Sequence, residues 1–509
     1  MTPDSEIIQN ILDNQVKFYF NKESDSDVYV EFEGPNGAIC FEPCDSELFQ
    51  SFLRIEYRSQ TDGQICTDFN DFIQAACDDA IWAGKPQKVS ICHRVDGALG
   101  KKIVYSLAND ERQCVVVIPG KWTVLPGSKL PKIRFLKDKS TLPQAIPSRD
   151  GDYLKLLEPY INLDRDSFLL LAVWMIQCLS KTSSHFALLI SGGQGTGKST
   201  LTELIQDLVD PAVTSKTIMP NTERDLKVQL SNSYMVCYDN TRPLTNKFSD
   251  ILCSSITGGT VVLRQLYTTN SQVSLPLHNI IVLNGISIIP EQSDLAERCL
   301  LFELPKISTT HRQTDNDFKA RFKKDKPAIL GAMFTALCRA MEILPTLQMG
   351  QLHRMSDAHR GMTAIAVALG IDQAEFDRIF WNNVNRLKMA NISSDPFVAA
   401  MVNYLQHRPK DTTMTMSGLF DAMRNDFVNR SCGAHLACLP KNASHLSRKL
   451  SQVETSLKAA GYMLHFDYKA DATYITIKRK ASKRLTKKQK ETTERQAALM
   501  ADDDAATEE

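Results

Sequence analysis

Phe186–Thr200 reads FALLISGGQGTGKST, and its reading decides the fold. An apolar strand-like run, Phe186–Ser191, enters a glycine-rich loop, and Thr200–Val209 (TLTELIQDLV) continues with helical spacing. Gly192, Gly193, Gln194, Gly195, Thr196, Gly197, Lys198 and Ser199 fit G-x-x-x-x-G-K-[ST] between that strand and that helix, which is the setting a phosphate loop requires. Glycines let backbone N–H groups wrap the β- and γ-phosphates, and the helix N-terminus adds positive potential. Lys198 places a point charge on the phosphate oxygens, Ser199 offers a hydroxyl to Mg²⁺, and Thr200 is taken with the nucleotide-binding residues. The pattern predicts ATP and Mg²⁺ as cofactors and a P-loop NTPase core of the α/β class.

Such a loop needs an acid for the metal. Tyr234–Tyr238 (YMVCY) is an apolar strand ending in Asp239-Asn240, and strand ends beside the loop are where that acid belongs. Asp239 is the expected magnesium residue. Asn240 stands where many related ATPases carry a glutamate, which leaves the general base open. A further strand, Asn279–Leu283 (NIIVL), ends in Asn284, a candidate for orienting the attacking water. Both gaps, Lys198 to Asp239 and Asp239 to Asn284, leave room for one helix and its loops. Arg298 precedes the strand-like Cys299–Leu304 and has Asp294 and Glu297 as potential salt-bridge partners.

Outward from this core, residues 1–160 mix strand and helix signals and are expected to form an accessory α+β domain. Asp71–Ala83 reads as a helix, Lys88–His93, Lys102–Leu107 and Gln113–Ile118 read as strands, and Leu125–Pro147 reads as a connector. The α/β core spans 161–305 and a helical lid spans 306–394. Phe168–Leu179 is the most apolar run and is too short to cross a bilayer, so it is expected as a buried helix without a membrane role. In 395–480, helices precede a hairpin. Leu446, Leu450, Val453 and Leu457 share one helix face, leaving His445, Arg448 and Lys449 elsewhere, as a DNA-facing winged helix with a wing at Tyr462–Phe466 and Tyr474–Ile477 would have them. The tail, 481–509, is low-complexity and charged, with a lysine-rich start that adds salt-sensitive affinity for DNA. The 59 basic and 59 acidic residues cancel, so any nucleic-acid contact rests on local patches. The thirteen cysteines have irregular spacing. Neither Cys40, Cys44, Cys66 and Cys77 nor Cys432, His435 and Cys438 has the paired short spacings of a zinc site. Without a secretion signal, reduced thiols in a cytoplasm are expected.

Phe248–Pro305 (FSDILCSSITGGTVVLRQLYTTNSQVSLPLHNIIVLNGISIIPEQSDLAERCLLFELP) resembles the ATPase core of phage, prophage and genomic-island proteins related to the superfamily III helicases of viruses and to the AAA+ class. The TGG-x-x-x-x-R-x-LYT pattern, the NG after the next strand and the D-L-x-x-R before the last strand carry the resemblance, which extends over about residues 50–400. It implies a hexameric ring that hydrolyses ATP at subunit interfaces and translocates on DNA. It implies for Arg298 a reach to the neighbouring subunit's γ-phosphate, and for Arg354, in the lid, a second nucleotide-sensing role. It also implies that the hairpin Val261–Leu277 projects into the channel. Single-stranded DNA would then meet Arg264 and the polar tip Thr268, Thr269, Asn270 and Ser271. Many relatives carry a primase domain ahead of the ATPase. Residues 1–160 show no acidic primase triad or zinc ribbon, so a primase would be a separate partner. The expectation is an ATP-dependent replicative helicase or replication initiator of a mobile element. The alternative is an ATP-switched, DNA-bound regulator or loader that does not unwind.

Overall fold

The computed structural model describes residues 3–479 except 22–23, 35–36, 38, 65–68, 83–86, 138–139, 150, 183, 242–243, 265–271, 287–289, 291, 308–313, 395, 409–410, 431 and 470–471. The chain divides into two units, Met1–Leu387 and Lys388–Glu509.

The first unit begins with α1 (Pro3–Gln15), β1 (Lys17–Asn21), β2 (Ser24–Glu33), β3 (Ile39–Pro43), α2 (Glu47–Gln60), α3 (Phe69–Trp82) and β4 (Gln87–Cys92). In α2, the Ser46 side chain accepts from the Phe49 N–H, and Phe49, Leu53 and Tyr57 line the buried face at four-residue spacing. The three helices share an apolar core with β2. Cys44 and Cys77 meet in this core and are disulfide-bonded, which departs from the expectation of reduced thiols throughout. The spacing of two distant cysteines gives no sign that a strand end and a helix will bring them together.

Next come β5 (Val95–Asp96), β6 (Ile103–Ser106), β7 (Gln113–Ile118), β8 (Lys121–Pro126) and β9 (Ile133–Phe135). β9 closes the first sheet in the order β3-β2-β1-β4-β9, whereas β5 to β8 form a separate antiparallel meander. The meander's Val95, Ile103, Tyr105, Val115, Val117 and Trp122 belong to the same core as the helices and strands that follow. Residues 1–160 are therefore not one packing body. Strand periodicity looks the same whichever core the strand faces, so sequence alone could not divide them.

The central sheet follows α4 (Tyr153–Leu157) and α5 (Arg165–Gln177) and consists of β10 (Ala187–Ser191), α6 (Lys198–Val209), α7 (Glu223–Ser231), β11 (Met235–Tyr238), α8 (Asn246–Ile256), the hairpin β12 (Thr260–Arg264) and β13 (Gln272–Pro276), β14 (Ile280–Gly285), α9 (Ser293–Ala296) and β15 (Cys299–Glu303). Its four strands are parallel in the order β11-β14-β10-β15, with Ser191 beside Gly285 on one side and Glu303 on the other. α5 is buried from Ser167 to Gln177, as a helix apolar on all sides should be. Among the described residues no helix is long and apolar enough to cross a membrane.

α10 (Asp315–Ile343), α11 (Ser356–Ala368) and α12 (Gln373–Ser394) complete the unit, with α12 running past Leu387. Ile329, Phe334, Leu337, Met362, Ile365 and Phe380 join the core of the central sheet. On the outer strand β15, the Asn383 carboxamide accepts from the Leu301 N–H at 3.0 Å and donates to the Leu301 carbonyl at 2.7 Å, and Arg386 donates to the same carbonyl at 2.8 Å.

The second unit contains α13 (Pro396–Gln406), β16 (Asp411–Thr415), α14 (Met416–Asn429), α15 (Gly433–Ala437), α16 (Ala443–Gln452), α17 (Glu454–Ala459), β17 (Tyr462–Tyr468) and β18 (Thr473–Arg479). Its three-stranded sheet has the order β16-β18-β17. Leu446, Leu450, Val453 and Leu457 are all buried in its core, but not on one helix face as expected: Leu446 and Leu450 lie on α16, Val453 is the break between the helices, and Leu457 lies on α17. β16, read DTTMT, escaped the sequence reading because an outer strand lacks the apolar alternation that marks a half-buried one.

Candidate functional site

The glycine-rich loop turns between β10 and α6. Gly195 and Gly197 hold φ at +74° and +85°, the left-handed region that L-residues with a Cβ rarely adopt. Gly197 lets Lys198 start α6 directly, so the helix N-terminus faces the loop. Thr196 Oγ1 donates to the Gly193 carbonyl at 3.1 Å, and Lys198 Nζ donates to the carbonyls of Gly192 and Gly193 at 2.8 and 2.6 Å. The far end of α6 is fixed by the meander. Tyr105 donates to the Val209 carbonyl at 2.9 Å, and Gln144 Nε2 to those of Asp207 and Leu208 at 3.1 and 3.0 Å. These are carbonyls a helix end leaves without intrahelical partners. Arg94, 1% exposed, pairs with Asp210 at 2.6 Å just beyond. The β-meander and Gln144 thus hold the helix whose other end adjoins the glycine-rich loop.

Ser199 Oγ lies 3.4 Å from Asp239 Oδ2. A hydroxyl facing a carboxylate across a helix N-terminus and a strand end is the donor chemistry that Mg²⁺ accepts, so Ser199 and Asp239 fit the metal and Lys198 fits the phosphates. Lys216 is a cation near this acid that sequence reasoning missed. It binds Glu203 at 2.6 Å; that bond, outweighing burial, raises its pKa, and the charge of Asp239 adds to the rise. Nothing in the local sequence marks Lys216, because the loop after α6 is what brings it there.

Asn240 has φ of +50°, a left-handed conformation that asparagine tolerates better than most residues. Its N–H is held by Asp239 Oδ1 at 3.0 Å and by Asn284 Oδ1 at 3.1 Å. Asn284 is fully buried, and its Nδ2 donates to Thr202 Oγ1 at 3.0 Å. Its carboxamide is thus tied into the protein on both sides, whereas the expectation had it facing a water. The Asn240 side chain is exposed.

Arg298 and Arg354 lie at the other end of the sheet. Arg298 precedes β15 at the edge where its carbonyl accepts from the Ala187 N–H at 2.9 Å. The phosphate loop leaves β10 at Ser191, beside Glu303. Five residues of strand separate the two ends, about 16 Å at 3.3 Å per residue. Arg298 binds the Asp294 carboxylate and, at 2.8 Å, the Asp294 carbonyl. Arg354 donates to Asp294 Oδ1 and Glu297 Oε2, both at 2.8 Å. The structure therefore brings Arg354 to Arg298 and not to the phosphate loop of its own chain. The lid helices pack on the core, so a position just before α11 falls at the sheet's far end.

β12 and β13 pair antiparallel, with Arg264 opposite Gln272, outside the parallel sheet. Thr268, Thr269, Asn270 and Ser271 lie outside the described residues. In the second unit, His445 and Arg448 are exposed on α16. Lys449 Nζ lies 5.9 Å from the centre of the Phe397 ring.

The first unit is thus built on a parallel α/β sheet with a glycine-rich loop and a lysine-serine pair at the C-terminal edge of its strands. Residues 153–377 match the family model described as actinomycete integrative conjugative element replication protein. That stretch starts at α4, ends within α12 and contains the phosphate loop, Asp239, Asn240, Asn284, Arg298 and Arg354. No curated protein sequence matches the chain. Among solved structures it is similar to the NrS-1 C-terminal region in an apo form, at 10% identity and a TM-score of 0.40 over 93% of this chain and 99% of that one. It is also similar to JCV helicase bound to a small molecule, at 16% identity and a TM-score of 0.24 over 51% of this chain and 66% of that one.

Proposed function

We propose that this chain is an ATP-hydrolysing replication protein of a mobile genetic element, an AAA+ protein of the superfamily III type that works as a ring and separates DNA strands. The observation that carries the reading is the convergence of Lys198, Ser199 and Asp239 at one sheet edge, with Ser199 Oγ 3.4 Å from Asp239 Oδ2. Lys198 would hold the β- and γ-phosphates, Ser199 and Asp239 the Mg²⁺, which supplies charge neutralisation at the transferring phosphoryl group. The family model matched by residues 153–377 supports a role in replication.

The placement of Arg298 supports assembly. Set back about 16 Å of strand from its own phosphate loop, it would serve the loop of another subunit, which a hexameric ring would supply at every interface. Arg354 would share that interface. The second unit's order of helix, strand, helices and two strands, with sheet order β16-β18-β17, supports a winged-helix reading in which His445 and Arg448 would face duplex DNA. Lys449, beside Phe397, would contribute through its packing. Single-stranded DNA would pass the β12–β13 hairpin.

The test is ATP turnover together with strand displacement on a forked DNA, for the wild type, Lys198→Ala and Asp239→Ala. Turnover and displacement by the wild type, abolished in both variants, supports the reading. Turnover without displacement or stimulation by DNA, under conditions where rings form, moves the chain to the regulator class.

A further inference from the structure

We infer that Thr202 and Asn284 are positioning residues in a buried hydrogen-bond relay that sets the Asn240 carboxamide toward the nucleotide; the inference rests on the proposed ATPase reading and deepens it.

The relay is continuous. The Asn240 N–H donates to Asn284 Oδ1 at 3.1 Å, Asn284 Nδ2 to Thr202 Oγ1 at 3.0 Å, and Thr202 Oγ1 to the Lys198 carbonyl at 2.9 Å. Thr202 and Asn284 are both fully buried. A threonine one helical turn after Lys198 often bonds back to the carbonyl four residues earlier. Here the hydroxyl does so while also accepting from a second element, so its orientation is fixed at both ends. The relay joins the first turn of the phosphate-loop helix to the end of the magnesium-site strand. The Thr241 N–H, donating to the Asn284 carbonyl at 2.9 Å, adds a main-chain clamp one residue further on.

The conformation at Asn240 is what the relay secures. A left-handed φ of +50° on a residue with a Cβ is a local cost that persists where surrounding bonds over-determine it. The two oxygens on its N–H, Asp239 Oδ1 and Asn284 Oδ1, do so. The turn leaves the Asn240 side chain exposed beside Asp239. A carboxamide cannot take a proton as a base, but it can orient an attacking water, as glutamine does in other phosphate-loop enzymes. The committed carboxamide of Asn284 is the support, and the exposed one of Asn240 is the group that faces the reaction.

The experiment compares Thr202→Val, which removes the hydroxyl at nearly constant shape, with Thr202→Ser, which keeps it, in the full-length protein. Three quantities are read: kcat and KM for ATP, binding of Mg²⁺ with a non-hydrolysable ATP analogue, and hydrogen exchange of the 239–241 amides. The relay requires Thr202→Val to lower kcat roughly tenfold, as losing one positioning hydrogen bond would. KM and analogue binding should stay within about twofold, well below the tenfold that 1.4 kcal/mol represents. Exchange at Asn240 should speed up, and Thr202→Ser should restore all three. Wild-type kcat and exchange in Thr202→Val overturn the relay while the ATPase reading stands. Equal loss of analogue binding in both variants overturns it too, because Thr202 then merely packs. A wild type that binds the analogue yet never hydrolyses ATP overturns the ATPase reading itself, and the kinetic role assigned to the relay with it.

Discussion

The two ends of the central sheet are built on opposite principles. At the C-terminal edge, Asn284 has both carboxamide atoms bonded and Thr202 both donates and accepts. At the N-terminal edge, one carboxylate, Asp294, serves two guanidinium groups, and Arg298 Nε is buried without a hydrogen-bond partner among the described residues. Burying an unpaired donor costs free energy that a partner would return. The first end is complete within one chain. The second pairs two guanidinium groups with two carboxylates, Asp294 and Glu297, and leaves one buried guanidinium N–H unpaired among the described residues. The difference bears on the proposed division of the reaction between subunits.

The largest test of that division is Arg298→Ala. Turnover should fall on the order of 10³-fold, as when an arginine is withdrawn from a phosphoryl transition state. ATP affinity should hardly change. Mixing the variant with Lys198→Ala subunits should recover part of the activity, because some interfaces then carry two intact halves. Loss of ATP binding by Arg298→Ala would mean that both ends serve the same chain, and the comparison breaks.

Acid should separate the ends next. His185, fully buried just before β10, lies 5.7 Å from the His278 ring. Burial first, and the neighbouring His278 second, push its pKa down to about 3. The unfolded chain takes up this proton near the ordinary histidine value, so between that value and about 3 it binds more protons than the fold. Stability therefore falls as pH drops through this window, by a few kcal/mol at most. Urea unfolding from about pH 7 to 4 should show that slope, and His185→Gln should flatten it. An unchanged slope would remove His185 as its source.

Asn284→Ala should cost about 2 kcal/mol by removing one of the two acceptors on the Asn240 N–H and taking the donor from Thr202. A cost below about 0.5 kcal/mol, the size of an ordinary surface change, would mean that the first end is less closed than described. The smallest effect belongs to Asp294→Asn. Asp294 is 52% exposed, and solvent screening keeps its pairs within about 1 kcal/mol. Its arginine bonds, led by Arg298, hold its carboxyl below the usual range against the opposing effect of burial. The stability this contributes is present at neutral pH and lost only as pH falls through that lowered pKa. Turnover in Asp294→Asn equal to or above wild type is expected if Asp294 restrains Arg298, and a deep loss would make it part of the reacting site.

The closed end was largely legible in the sequence and the open end was not. Glycines at fixed offsets between an apolar strand and a helical repeat leave one geometry for Lys198 and Ser199, and an acid ending the next apolar run falls naturally beside them. Asn284 was legible as a strand-end polar residue, but not its burial or its bond to Thr202. A threonine within a helix gives no periodic signal. Arg354 reads as a lid residue because nothing in linear order reveals that the chain returns it to Asp294 and Glu297. The merger of the β-meander with the central core was hidden likewise. Arg94, which anchors it through Asp210, is a lone arginine between two strand-like runs.

The contact between Asn383 and Leu301 also bears on solubility. The outer rim of a parallel sheet is a template on which any extended peptide, including one from another copy, could be added. One carboxamide that imitates a neighbouring strand at Leu301, reinforced by Arg386, blocks that template where the sheet would otherwise keep growing. α12 thus occupies the hydrogen-bonding position that an added strand would use at Leu301, which matters for a chain proposed to gather many copies of itself around one DNA.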